Sequence, residues 1–147
     1  MNKIILILAV LLTIAALAWA GETKELDNFH GIKWGQVIPG NLMNQFKLAE
    51  DRGDTKVYTR IGEAAMRYTF YKNMFSRLDI EVAGGDSDFY DLRESRALQY
   101  GYYEKPDMDK NEYVWDLKNL KITLAYNYKS KKGLCTYIYK PLSKFVN

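Results

Sequence analysis

Apolar and polar residues alternate at period two over much of the chain. Met66, Tyr68 and Phe70 share one side of a run whose other side carries Arg67, Thr69 and Tyr71. Leu78, Ile80 and Val82 oppose Arg77, Asp79 and Glu81 in the next run, after a Lys72-Asn73 turn. With Val57–Ile61, closed by Gly62-Glu63, these runs predict three short strands of an antiparallel meander with one packed and one wet face. A second set follows Pro106: Tyr113–Asp116, Lys121–Tyr128 and Leu134–Tyr139, with Ser130-Lys131-Lys132-Gly133 as the last turn.

Two segments read at helical period. Leu42, Met43, Phe46 and Ala49 recur near 3.6 residues behind Asn41 as N-cap, predicting a short helix over 42–50, stopped by Asp51-Arg52-Gly53-Asp54. Phe89, Leu92, Ala97 and Tyr100 predict a second over 88–100, with Asp86 and Ser87 as caps and Gly101 at C′. The expected fold is α+β: an antiparallel sheet of about six strands with two helices on one face. The order helix–strand–strand–strand then occurs twice, over 41–83 and 86–140, which suggests a tandem repeat despite poor side-chain identity between the halves.

Residues 1–20 need separate treatment. Lys3 precedes an apolar run from Ile4 to Ala18, and Ala18-Trp19-Ala20 has the form of a cleavage signal, so 1–20 reads as an export signal. An uncleaved anchor is the alternative, since the 17-residue stretch is at the short limit for crossing a bilayer. Residues 21–28 then read as a flexible lead-in and 29–147 as a single domain, periplasmic or secreted. The 48% hydrophobic content of the whole chain falls to about 42% without the first twenty residues, ordinary for a globular domain. Lys3 is the only charge removed from a net +3, and the charges are interspersed, which argues against a nucleic-acid partner.

One Cys and one His leave little room for a zinc cage, a disulfide or His-based catalysis, so neither an enzyme nor a cofactor is expected. Cys135 sits in a strand-like run and reads as a small packed residue. Lone His30 lacks a motif-placed nucleophile. Asp107-Met108-Asp109-Lys110-Asn111 begins like a calcium loop but has Glu112 where Gly is needed and Lys118 where a bidentate Glu is needed. Asp86, Asp88 and Asp91 read as helix N-terminal acids.

The 12 tyrosines offer more. If Leu134 and Ile138 face the core, Tyr137 and Tyr139 join Arg67, Tyr71 and Lys121 on the wet face. Rings beside an arginine give large contact area at low entropic cost. Tyr71, Tyr137, Tyr139 and Arg67, with Trp34 in its aromatic segment, are therefore the candidate binding residues, and pairing at a free sheet edge is a second mode. The partner class is a protein or a cell-envelope component. The alternatives are a small-ligand binder or weak enzyme with a pocket between helices and sheet, using His30 or the Asp86/Asp88/Asp91 cluster, and a membrane-anchored structural protein of the envelope.

Phe29-x-Gly31-Ile32-x-Trp34-Gly35, Phe70-Tyr71-Lys72, Tyr113-Val114-Trp115 and Ile122-Thr123-Leu124-Ala125-Tyr126 together resemble a group of uncharacterised exported bacterial small-domain proteins. The resemblance spans most of 29–141 and implies a bacterial, exported α+β domain without catalytic activity. The order of elements also looks like small envelope domains of the outer-membrane-assembly lipoprotein and β-lactamase-inhibitor type, though no lipid-bearing Cys follows the leader.

Overall fold

The structure, a computed structural model, describes residues 24–146; the predicted export signal lies outside them. Its body is one seven-stranded antiparallel sheet. The strands are β3 (Phe46–Arg52), β4 (Thr55–Arg60), β5 (Glu63–Tyr71), β6 (Met74–Val82), β7 (Glu112–Asp116), β8 (Leu120–Asn127) and β9 (Lys132–Tyr139), in spatial order β3-β4-β5-β6-β9-β8-β7. A small ribbon of β1 (Asn28–Phe29) and β2 (Ile32–Lys33) precedes it, and α1 (Gly85–Tyr100) joins its two halves.

The register shows how the alternation was used. Leu48, Tyr58, Tyr68, Leu78, Tyr137, Ile122 and Trp115 are successive cross-strand partners over all seven strands, so they share one face. One step along each strand, Lys47, Thr59, Arg67, Asp79, Thr136, Thr123 and Val114 form the matching row on the other face. The first row is buried from Tyr68 onward and the second is largely polar. A one-residue slip would exchange the two sets, which is what fixes the register.

Two layers cover the apolar face. Over β6, β9 and β8 lies α1, inserting Phe89 and Tyr100. Asp86 and Asp88 occupy its first turn and Gly101, at φ 87°, closes it through an N–H to the Ala97 carbonyl at 2.9 Å. Arg93 pins the helix down among tyrosines: its guanidinium lies over Tyr90 and Tyr113, at 4.9 and 5.1 Å from the ring centres, and donates to the Tyr113 hydroxyl at 3.2 Å. Over β4–β6 and β9 lies the N-terminal segment. Trp34 stacks on Phe75 at 4.3 Å, and Glu25, inside the predicted lead-in, accepts the backbone N–H groups of Asn119 and Leu120.

The α+β expectation with two helices is corrected: the described residues are mostly β, with one α-helix of 16 residues among them. The segment read as helix 42–50 is a 3-10 turn (Met43–Gln45) running into β3. Phe46 and Leu48 alternate as a strand requires, but a β-bulge between Leu48 and Glu50 inserts Ala49 and breaks the period. That extra residue produced the apparent helical spacing. With its first helix gone the tandem repeat goes too, and with it the topological likeness to the small envelope domains: in the seven-stranded sheet, four strands precede α1 and three follow it.

Candidate functional site

The five residues picked from sequence divide between the two faces. Tyr137, 1% exposed, lies in the core between Phe29 and Trp34, and Cys135 is buried beside it. Tyr139 is on the same face, and Trp34 is 8% exposed. The expectation that Tyr137 and Tyr139 join the wet face is therefore reversed. Leu134 and Ile138 stand opposite, because Ile138 pairs with Arg77 and Lys121 in the polar rows. Only Arg67 and Tyr71 keep their predicted face.

On that face they flank a cavity of about 340 Å³ lined by Arg52, Thr55, Val57, Arg67, Thr69, Arg77, Asp79, Phe145 and Val146. Each strand of the first meander contributes. Arg52 closes β3, Arg67 and Thr69 alternate on β5, and Arg77 and Asp79 alternate on β6. The chain end supplies a wall, since the 3-10 turn Lys140–Phe145 brings Phe145 flat onto Tyr71 with ring centres 4.2 Å apart.

Three arginines line the cavity against one acid, Asp79, with Glu50 beside it on Arg52 and Arg67. Asp79 is fully engaged, accepting Arg77 Nε and Nη2 at 2.8 Å each and the Thr136 hydroxyl at 2.8 Å. Arg77 also donates to the Val146 carbonyl at 3.2 Å, so it is held in a fixed pose. Glu50 accepts one nitrogen from Arg52 and one from Arg67. Arg67, with Arg52 beside it, holds the Glu50 carboxyl below its ordinary value of 4.5. The remaining donors of Arg52 and Arg67 have no partner among the described residues. Each guanidinium carries five N–H groups, so most of this donor capacity is unspent. The site can therefore grip carboxylate or another anion, with the Tyr71–Phe145 stack for apolar contact.

The other candidates sit elsewhere. His30 Nδ1 lies 2.9 Å from the Tyr68 hydroxyl, 3.2 Å from Arg60 Nη1 and 3.5 Å from Glu63, while Arg60 also donates to Gln45 at 2.9 Å. This network ties the β1–β2 ribbon and the turn before β3 to the sheet rim, and burial pushes the Tyr68 phenol up to about 12. Asp107 spends its carboxylate on the Asp109 N–H at 3.0 Å and on Lys110, in a surface turn. Between α1 and the sheet, where the small-ligand alternative places its pocket, Phe89, Tyr100, Tyr113 and Tyr126 fill the space. The edges are defended as well: Glu104 exchanges backbone bonds with Val114 of β7, and β3 carries a bulge and Lys47, Glu50, Asp51 and Arg52.

Sequence reasoning missed Arg52, Arg77, Glu50, Asp79 and Phe145. Alternation already placed Arg77 and Asp79 opposite the apolar set of β6. Their alignment with Arg67 depends on strand register, and Arg52 was hidden by the helical reading of 42–50. Among the described residues no helix is long and apolar enough to cross a membrane. Comparison with protein-family models, curated proteins and solved structures finds no match for this chain.

Proposed function

We propose that this chain is an exported, non-enzymatic binding domain of the bacterial cell envelope, and that it meets an acidic segment of a protein partner on its polar sheet face. The observation that carries this reading is the unspent donor capacity of Arg52 and Arg67 in a cavity where guanidinium groups outnumber carboxylates. Glu50 already seats one carboxylate between the two arginines, so the geometry suits a second from outside. The adjoining Tyr71–Phe145 stack adds the aromatic surface typical of protein interfaces. Export rests on the apolar leader ending in Ala18-Trp19-Ala20, and the likeness to exported bacterial small-domain proteins agrees with it.

A photo-crosslinking residue at Thr59, the cross-strand neighbour of Arg67, tests the reading in native cells. The expected product is a protein adduct joined through an Asp- or Glu-rich segment, weakening as salt rises because the charges are exposed. A matching residue at Leu98, exposed on α1, is expected to give no such adduct. Adducts formed only at Leu98, or with lipid in place of protein, would overturn the proposal.

A further inference from the structure

A second cavity, of about 370 Å³, lies on the covered side of the sheet, where the chain between Trp34 and the Met43–Gln45 turn passes over β4 and β5. That segment lines it with Val37, Ile38 and Met43, and β4 adds Tyr58, whose ring meets Phe70 of β5 edge to face at 5.5 Å. Val37 is 58% exposed and Met43 48%, so apolar side chains stand open to solvent around a concave space. The volume is at the small end of ligand cavities, and an apolar group entering it releases the water held against these side chains.

The polar part of the lining narrows what can enter. One cation, Lys56, and the Asn73 amide line the cavity, with no carboxylate among them. Asp51, the acid that faces Lys56, stands outside the lining at 3.9 Å, beyond hydrogen-bond reach, and spends its other oxygen on the Gly53 N–H at 3.0 Å. The ammonium of Lys56 and the exposed amide of Asn73 therefore keep their donors free among the described residues. The ligand must offer an apolar body to Val37, Ile38 and Met43, and an anionic acceptor to Lys56.

An alkyl chain ending in a carboxylate meets both demands, and we infer that this cavity binds one free fatty acid of medium chain length. The alkyl tail lies along Val37, Ile38, Met43 and Tyr58, and the carboxylate accepts from Lys56 Nζ and the Asn73 amide. Because Lys56 and Tyr58 share the side of β4 opposite Val57, this site and the arginine-lined cavity are on different faces of the sheet, so either can fail without the other.

The test is a titration of the methionine-methyl-labelled protein with decanoate, kept below its micelle concentration and read by nuclear magnetic resonance. The Met43 signal is expected to move saturably with a dissociation constant on the order of 0.1–1 mM, as suits so small a ligand, while Met108, exposed on a distant loop, stays in place. Each buried methylene is worth about fourfold, so octanoate is expected to bind roughly tenfold more weakly. Lys56→Gln is expected to weaken decanoate about fivefold, and Val37→Asp, at an exposed position, to abolish binding with the fold kept. A Met43 signal that never moves, that moves together with Met108, or that answers to acetate as well as to decanoate overturns the inference. So does one that follows protein concentration alone, which would mark a second copy as the occupant, and so does a Lys56→Gln variant that binds as tightly as the parent.

Discussion

Replacing Tyr137 by Ala tests the facing of the whole sheet. Its ring sits mid-row between Leu78 and Ile122, with Phe29 and Trp34 at 6.3 and 6.4 Å above it. A buried aromatic ring removes roughly 200 Å² from water, worth about 5 kcal/mol at ~25 cal/mol per Å² as an upper bound. Measured aromatic-to-alanine changes in cores run about 3–5 kcal/mol, so about 4 kcal/mol is expected. For a domain of this size the unfolding entropy is on the order of 0.25 kcal/mol per degree, which converts the loss into a fall of roughly 12–20 °C in Tm. The assay is thermal unfolding followed by near-ultraviolet circular dichroism, with Ile138→Ala as the control on the opposite face. Ile138 is only half-buried, and its truncation is expected to cost about 1 kcal/mol. A Tyr137→Ala variant less perturbed than Ile138→Ala would refute the assigned faces.

Other outcomes follow from the same packing. A Cβ on Gly133 would lie 3.0 Å from Phe89 and 3.1 Å from Val82, so Gly133→Ala is expected to cost about 1–3 kcal/mol in urea unfolding by overpacking the seam between sheet and helix. Gly40 has no left-handed φ and open space around it, so Gly40→Ala is expected to be neutral or to stabilise by up to ~1 kcal/mol in the same assay. Alkaline pH gives a third check. The folded Tyr68 phenol is held at about 12 against an ordinary 10, so the unfolded chain releases this proton first. Its stabilising contribution is complete below pH 10 and is lost as pH rises toward about 12. Tyr68→Phe is expected to flatten the fall of the urea midpoint over that window; an unchanged slope would count against the burial of this hydroxyl.

The strands were legible because their faces differ so sharply. Period two holds over Met66–Tyr71 of β5, Arg77–Val82 of β6 and Leu120–Asn127 of β8, and each is found where alternation puts it. β3 was not legible, since the Ala49 bulge converts its alternation into a spacing that mimics a helix. The facing of β9 was ambiguous for another reason: Leu134-Cys135-Thr136-Tyr137-Ile138-Tyr139 places apolar residues on both sides, and β8 and β6 decide which side is covered. Arg67 and Tyr71 could be picked as surface residues from their strand alone. The arginine cluster around them could not, because Arg52, Arg67 and Arg77 converge only through the pairing of β3 to β6.

The central claim is that guanidinium charge on the open face recognises the partner. Its most direct measurement is the yield of the Thr59 adduct in native cells when Arg52→Gln and Arg67→Gln are combined. Both side chains are well exposed and their pairs with Glu50 are surface pairs, so Tm is expected to shift by only a few degrees. The adduct is expected to be lost while the fold is kept. An undiminished adduct from the folded double variant would contradict it.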